Sequence, residues 1–167
     1  MLEDKPNHHS EPLESRGHEF DDLNGRFVII ASRFNDRLVD GMLQECLSIL
    51  TRNSSRIVET YRVPGAFEIP AVASHFAGLS PAPDAILCFG VVLQGETTHA
   101  EQVTEGVTNA LASLQVQSKL PVIHGVGHFH TRQQAEVRCL QSSHNRGAEC
   151  ALAALEMVRL FASLRTL

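Results

Sequence analysis

Residues 95–103 read GETTHAEQV and come directly after the apolar run AILCFGVVL. Gly95 permits close backbone approach, and the amides of Glu96, Thr97 and Thr98 open a helical pattern, where an anion binds readily. His99 then stands beside that anion receptor as a group able to move protons near neutral pH. The same residues also read as a plain helix start with a capping or exposed histidine, and no Walker-type glycine pattern points to a nucleotide phosphate.

Three other segments carry residues with chemical potential. In SRFND, Phe34 is either a lid on the core or a stacking platform, and Asp36 is placed to cap the next helix. In VPGAFEIP, Pro64 and Gly65 force a turn before Ala66, Phe67 and Glu68. The Glu68 carboxylate either complements a helix dipole, worth about 0.3–1 kcal/mol, or binds hydroxyl groups. His124, His128 and His130 share parity, so an extended chain places them on one face and opens a zinc site as a further reading. No cysteine or carboxylate completes that set at ligand spacing. Arg138 and Arg146, in and beyond the next helical pattern, are among the few cations near the proposed anion receptor.

These segments matter because of where the regular elements put them. Short aliphatic runs at 27–32, 57–63, 84–93 and 121–126 alternate with amphipathic helical stripes such as Leu43, Cys46, Leu47 and Leu50. Strands alternating with helices imply right-handed crossovers and a parallel sheet covered on both faces, a three-layer α/β/α sandwich. In such a sheet, ligands sit outside the carboxyl ends of the strands, and SRFND, VPGAFEIP, QGETTH and GHFHT each come after a run.

The remaining features bound the function. A chain of 167 residues, 43% hydrophobic and 20% charged, suffices for one domain, expected over residues 25–167 behind a polar tail at 1–24. A net charge of −5 without a Lys/Arg cluster argues against nucleic acid or an anionic membrane as partner. No apolar run reaches the roughly 20 residues of a membrane span, and the N-terminus lacks a signal-peptide core, so the chain reads as cytoplasmic. Cys46, Cys88, Cys139 and Cys150 fall in apolar or helical patterns without a Cys-x-x-Cys pair, the behaviour of reduced thiols in a core.

Taken in order, SRFND, VPGAFEIP, FGVVLQGETTH, LPVIHGV, QAEVR and HNRGAECALAALEM resemble the 6,7-dimethyl-8-ribityllumazine synthase family over about residues 26–162. The resemblance implies a flavodoxin-like fold with a four-stranded parallel sheet, pentamers or larger assemblies, and active sites shared between subunits. It implies condensation of 5-amino-6-(D-ribitylamino)uracil with 3,4-dihydroxy-2-butanone 4-phosphate, two small-molecule substrates, with no metal or redox cofactor. On the matching positions it makes Phe34 the stacking partner of the pyrimidine, Ala66, Phe67 and Glu68 the ribityl pocket, and Val91, Val92 and Leu93 the backbone contacts to the uracil. Glu96 and Thr97 become amide donors to the phosphate, Arg138 its counter-charge from an adjacent subunit, and His99 the proton-transfer group. His124 stands where the family usually has Phe and makes one wall of the uracil pocket polar. Ala100 replaces a common aromatic, GHFHT replaces LTTEN-like residues, and Val137 and Ser142 replace a frequent Glu and Lys. A non-catalytic lumazine- or flavin-binding shell protein is the alternative on the same fold.

Overall fold

The computed structural model describes residues 17–165. Four strands form one parallel sheet: β1 (Arg26–Ser32), β2 (Ile57–Val63), β3 (Ala85–Leu93) and β4 (Val122–Phe129), in the order β2-β1-β3-β4. Five helices connect and cover them: α1 (Asp36–Leu50), α2 (Ile69–Ala77), α3 (His99–Ser118), α4 (Arg132–Leu140) and α5 (Arg146–Leu164). This is the three-layer sandwich expected from the alternation of runs and stripes, in the flavodoxin-like form that the resemblance implies.

Burial explains the sequence patterns. In β1 every residue after Arg26 is buried, and in β3 the first seven are, because both strands are sandwiched. Phe27, Ile29, Leu87 and Phe89 pack against α1, α4 and α5, whereas Val28, Ile30, Ile86 and Cys88 pack against α2 and α3. β2 lies at an edge and exposes more of its side chains, Ile57 and Tyr61 among them. All four cysteines are buried free thiols, and burial pushes the pKa of each upward, Cys139 and Cys150 to about 11.

Three local features differ from the sequence reading. The helix α1 is not capped by Asp36, which is its first residue; Asn35 takes the position before it in a left-handed conformation (φ 58°), and its side chain makes no bond to the helix amides but donates from Nδ2 to the Val91 carbonyl at 2.8 Å. Asparagine tolerates that conformation better than most residues. The fourth strand continues to Phe129, because its last residues pair in register with Val91, Val92 and Leu93 of β3. His124 and His128 therefore lie within β4, and only His130 and Thr131 of GHFHT come after it.

The third difference concerns residues 17–24, which the composition assigns to the tail. Gly17–Phe20 form a 3-10 turn, Phe20 is buried, and the Arg159 guanidinium lies 4.6 Å from its ring centroid. The buried Arg56 side chain donates to the carbonyls of Phe20, Leu23, Ile49 and Leu50, tying this segment to the end of α1. The rest of the expected tail, residues 1–16, lies outside the described residues.

Candidate active site

The sheet order reverses direction between β1 and β3, and the crevice opens there, at the carboxyl ends. Register carries the geometry: β1 pairs with β3 as far as Ala31 opposite Phe89 and ends one residue later at Ser32, so Val91–Leu93 project past the end of β1. Gly90 makes room for the turn after β2, since a Cβ there would sit 3.1 Å from the Ala66 Cβ and 3.3 Å from Ile69 Cδ1. On the β1 side, the amides of Arg33 and Phe34 donate to the carbonyls of Val63 and Pro64, which brings Phe34 beside the Pro64–Gly65 turn.

The result is a cleft of about 680 Å³. Phe34, Ala66, Phe67 and Glu68 form one side; Val91, Val92 and Leu93 lie along the projecting strand; Gly95, Thr97 and His99 close the far end. Phe34 and Phe67 are 70% and 64% exposed, far too open for core lids, so their rings are available as apolar faces. Ala66–Glu68 is a 3-10 turn leading into α2, and the Glu68 carboxylate accepts from the Gly65 amide at 2.9 Å. Thr97 and His99 stand at the start of the 20-residue helix α3, whose unpaired N-terminal amides and dipole favour an anion.

Three of the residues that the resemblance assigns to the substrates do not line this cleft. Glu96 sits exposed in the turn between Gly95 and Thr97, with its side chain off the wall. His124 turns to α3, its Nε2 lying 2.9 Å from the Thr108 hydroxyl, and burial together with the nearby Arg146 charge lowers its pKa. Arg138 lies on α4, where Nη1 and Nη2 grip the two oxygens of Glu149 at 2.8 and 2.6 Å and Nη1 also donates to the His144 carbonyl. Arg146 shares the same carboxylate at 3.1 Å and donates to the His124 carbonyl at 3.0 Å. Burial alone would raise the Glu149 pKa, yet the hydrogen bonds from the two guanidinium groups outweigh it and hold the carboxyl below its usual 4.5. Two cations around one anion leave this cluster net positive.

The histidines of the zinc reading part company. His124 meets Thr108, while His128 places Nε2 2.7 Å from Gln94 Oε1 and stacks at a tilt on His130, 5.4 Å between centroids. Among the described residues no three His, Cys, Asp or Glu side chains converge as a metal site. The sequence reading did not single out Asn35, Gln94 or Glu149. Only Glu149 left a signal, three residues after Arg146 in the first turn of a helical stripe.

With this geometry, comparison with known proteins is decisive. The profile of the 6,7-dimethyl-8-ribityllumazine synthase family matches residues 24–162. The chain belongs to the lumazine synthase family. The 6,7-dimethyl-8-ribityllumazine synthase of Xylella fastidiosa (strain 9a5c) is 41% identical over 141 residues, covering 83% of this chain and 91% of the relative. Those of Xanthomonas campestris pv. campestris (strain B100) and Xanthomonas oryzae pv. oryzae (strain PXO99A) are 42% and 41% identical, each covering 81% of this chain and 88% of the relative. The cleft thus belongs to a lumazine synthase chain, a transferase of riboflavin biosynthesis, and the match runs through every segment that lines it.

Proposed function

We infer that the cleft condenses 5-amino-6-(D-ribitylamino)uracil with 3,4-dihydroxy-2-butanone 4-phosphate to give 6,7-dimethyl-8-ribityllumazine, phosphate and water. The observation that carries this reading is the convergence of two exposed aromatic rings, a carboxylate and a histidine at a helix start within one cleft. In it, Phe34 stacks on the pyrimidine, Ala66, Phe67 and Glu68 receive the ribityl chain, and the Glu68 carboxylate accepts from its hydroxyls. Val91, Val92 and Leu93 face the uracil. The Val91 carbonyl is already held by Asn35, so the backbone contacts fall to the other groups of that strand end.

The butanone phosphate lies at the start of α3, its phosphate on the amides of the Glu96–Thr97 turn. The 5-amino nitrogen attacks the ketone carbon, and the oxygen leaves as water once protonated. Deprotonation of the adjacent carbon then lets phosphate depart with the C–O electron pair. The enol left on that carbon tautomerises to a ketone, and attack of the ribityl-bearing nitrogen on this new carbonyl with loss of water closes the second ring. His99, exposed at the cleft end, moves the protons. Holding both substrates in one cleft supplies much of the rest.

The same reading makes the protein a cytoplasmic homo-oligomer, at least a pentamer. Arg138 and His124 are not among the residues lining the cleft of their own chain, and Arg138 and Arg146 form a partly exposed, net positive cluster with Glu149, which supports a role in a neighbour's site. Free buried thiols suit a reducing compartment. Mixing purified protein with both substrates and recording lumazine absorbance and fluorescence tests the reaction. Light scattering at micromolar concentration tests the assembly. Absence of product with retained binding of the ribityl-pyrimidine would instead make the chain a passive binder, and a monomer that turns over would overturn the shared site.

A further inference from the structure

Gln94 is the first residue past β3, and its amide donates to the Phe129 carbonyl at 2.8 Å, extending the β3–β4 ladder by one rung. Its side chain folds back over the adjoining turn: Nε2 donates to the Gly95 carbonyl at 3.1 Å and the Thr97 carbonyl at 3.2 Å. The other end of the amide, Oε1, lies 2.7 Å from His128 Nε2. A carboxamide donates only from nitrogen and accepts only at oxygen. Two carbonyls at one end therefore require NH2 there and place the oxygen toward His128. That in turn requires His128 to carry its hydrogen on Nε2, and a second proton added at Nδ1 leaves the bond in place.

Peptide geometry carries this restraint into the turn. In a trans peptide the C=O of one residue and the N–H of the next point in opposite directions. Drawing the Gly95 and Thr97 carbonyls onto Gln94 thus turns the Glu96 and Thr98 amides away from it. Neither amide donates to a protein group among the described residues. The turn is otherwise exposed from Gly95 to His99 and has little else to fix it, the bond from the His99 amide to Thr97 Oγ1 being long at 3.5 Å.

We propose that Gln94 and His128 are a positioning pair that holds the Gly95–Thr98 turn in its phosphate-receiving shape, His128 orienting the Gln94 amide and Gln94 orienting the peptides. The inference rests on the lumazine-forming reading for the identity of the phosphate ester, and on the hydrogen bonds alone for the shape of the turn.

The test uses the full chain and four variants, with two readouts. Steady-state kinetics give the KM for each substrate, and inorganic phosphate titrated by 31P NMR or calorimetry reports on the turn without turnover. His128→Ala and Gln94→Ala are expected to raise the KM for the butanone phosphate and the Kd for inorganic phosphate about three- to tenfold, with kcat and the KM for the ribityl-pyrimidine within about twofold. Gln94→Glu, which offers oxygens to two carbonyls and a negative charge to the phosphate, is expected to lose more than Gln94→Ala. His128→Gln, which keeps an N–H donor, is expected to recover most of the loss. Equal losses for both substrates, no rescue by His128→Gln, or unchanged phosphate binding in the alanine variants would each overturn the pair. A parent protein that binds inorganic phosphate but forms no lumazine would instead overturn the function assigned to the cleft, and the phosphate titrations would still decide the pair.

Discussion

Arg138 and Glu149 face each other end-on, Nη1 to Oε1 at 2.8 Å and Nη2 to Oε2 at 2.6 Å, so one bidentate ion pair clasps α4 to α5. With the His144 carbonyl taking the second Nη1 hydrogen, the Nε–H and the outer Nη2–H have no partner among the described residues. Those two hydrogens form the side-on fork of the guanidinium, which matches two oxygens of a phosphate. Glu149 thus fixes the group in place and leaves that fork open.

An open fork should be visible in the kinetics. Each hydrogen bond to a charged group is worth about 1.5–3 kcal/mol, so Arg138→Ala should raise the KM for the butanone phosphate at least tenfold, the factor that about 1.4 kcal/mol represents. Binding of the ribityl-pyrimidine, which the proposed reading assigns to Phe34 and Glu68, should change little. Arg138→Lys should recover part of the loss, because a point charge lacks the fork. Separate titrations of the two substrates on each variant decide it: no loss for the phosphate ester removes Arg138 from the site.

His99→Ala should lower turnover by about 10- to 100-fold while the substrates still bind, a loss at or below the low end of acid–base contributions because positioning survives. Single-turnover rates on the variant check this. A variant as fast as its parent reduces His99 to a helix-start residue.

How much of the fold and the cleft was legible in the sequence depended on whether a feature is local. Phe34, Glu68 and His99 could be placed because each comes after an aliphatic run, and a parallel sheet gathers its carboxyl ends at one edge. The buried runs of β1 and β3 were readable because sandwiched strands need no polar alternation. The Gln94–His128 bond joins residues 34 positions apart that meet only through the register of β3 on β4, and that register also lengthened β4 beyond its apolar run. Asp36 is already inside α1 because the chain enters the helix through a left-handed residue, Asn35, whose side chain reaches across to β3 instead, and the sequence permits that conformation at either position. Which cations reach the cleft was not readable at all, since Arg138 and Arg146 bind their own Glu149 first.

Gly147 is a position where packing sets stability. It is the second residue of α5, capped by Asn145, whose Oδ1 accepts from the Gly147 amide at 2.8 Å while Nδ2 donates to the Cys139 carbonyl at 2.7 Å. A Cβ on Gly147 would fall 1.8 Å from the Met42 carbonyl oxygen, so α5 can lie against α1 only without a side chain there. Gly147→Ala should therefore destabilise the fold by about 1–3 kcal/mol or more, lowering the melting temperature by roughly 2–4 °C per kcal/mol for a chain of this size. A thermal melt unchanged from the parent would show that the two helices separate at little cost.

His124 makes stability depend on pH, with a sign fixed by its surroundings. Burial between β4 and α3, then the neighbouring Arg146 charge, lowers its pKa in the folded chain below the ordinary 6.5. The Thr108 hydroxyl holds the ring from the α3 side, and the Cys150 thiol lies 4.0 Å from the His124 carbonyl. The unfolded chain binds the proton more readily, so the stability that comes from keeping this ring neutral is fully present above pH 6.5 and is lost as pH falls below it toward the folded pKa. His124→Phe removes the titration and should flatten that part of the profile, so that the variant gains on the parent at pH 5 relative to pH 8. Urea midpoints of both proteins at pH 5, 6, 7 and 8 measure the difference. Parallel profiles would mean that His124 accepts its proton in the fold as easily as in water, and would remove the Arg146 side of the cluster as the cause of any acid sensitivity.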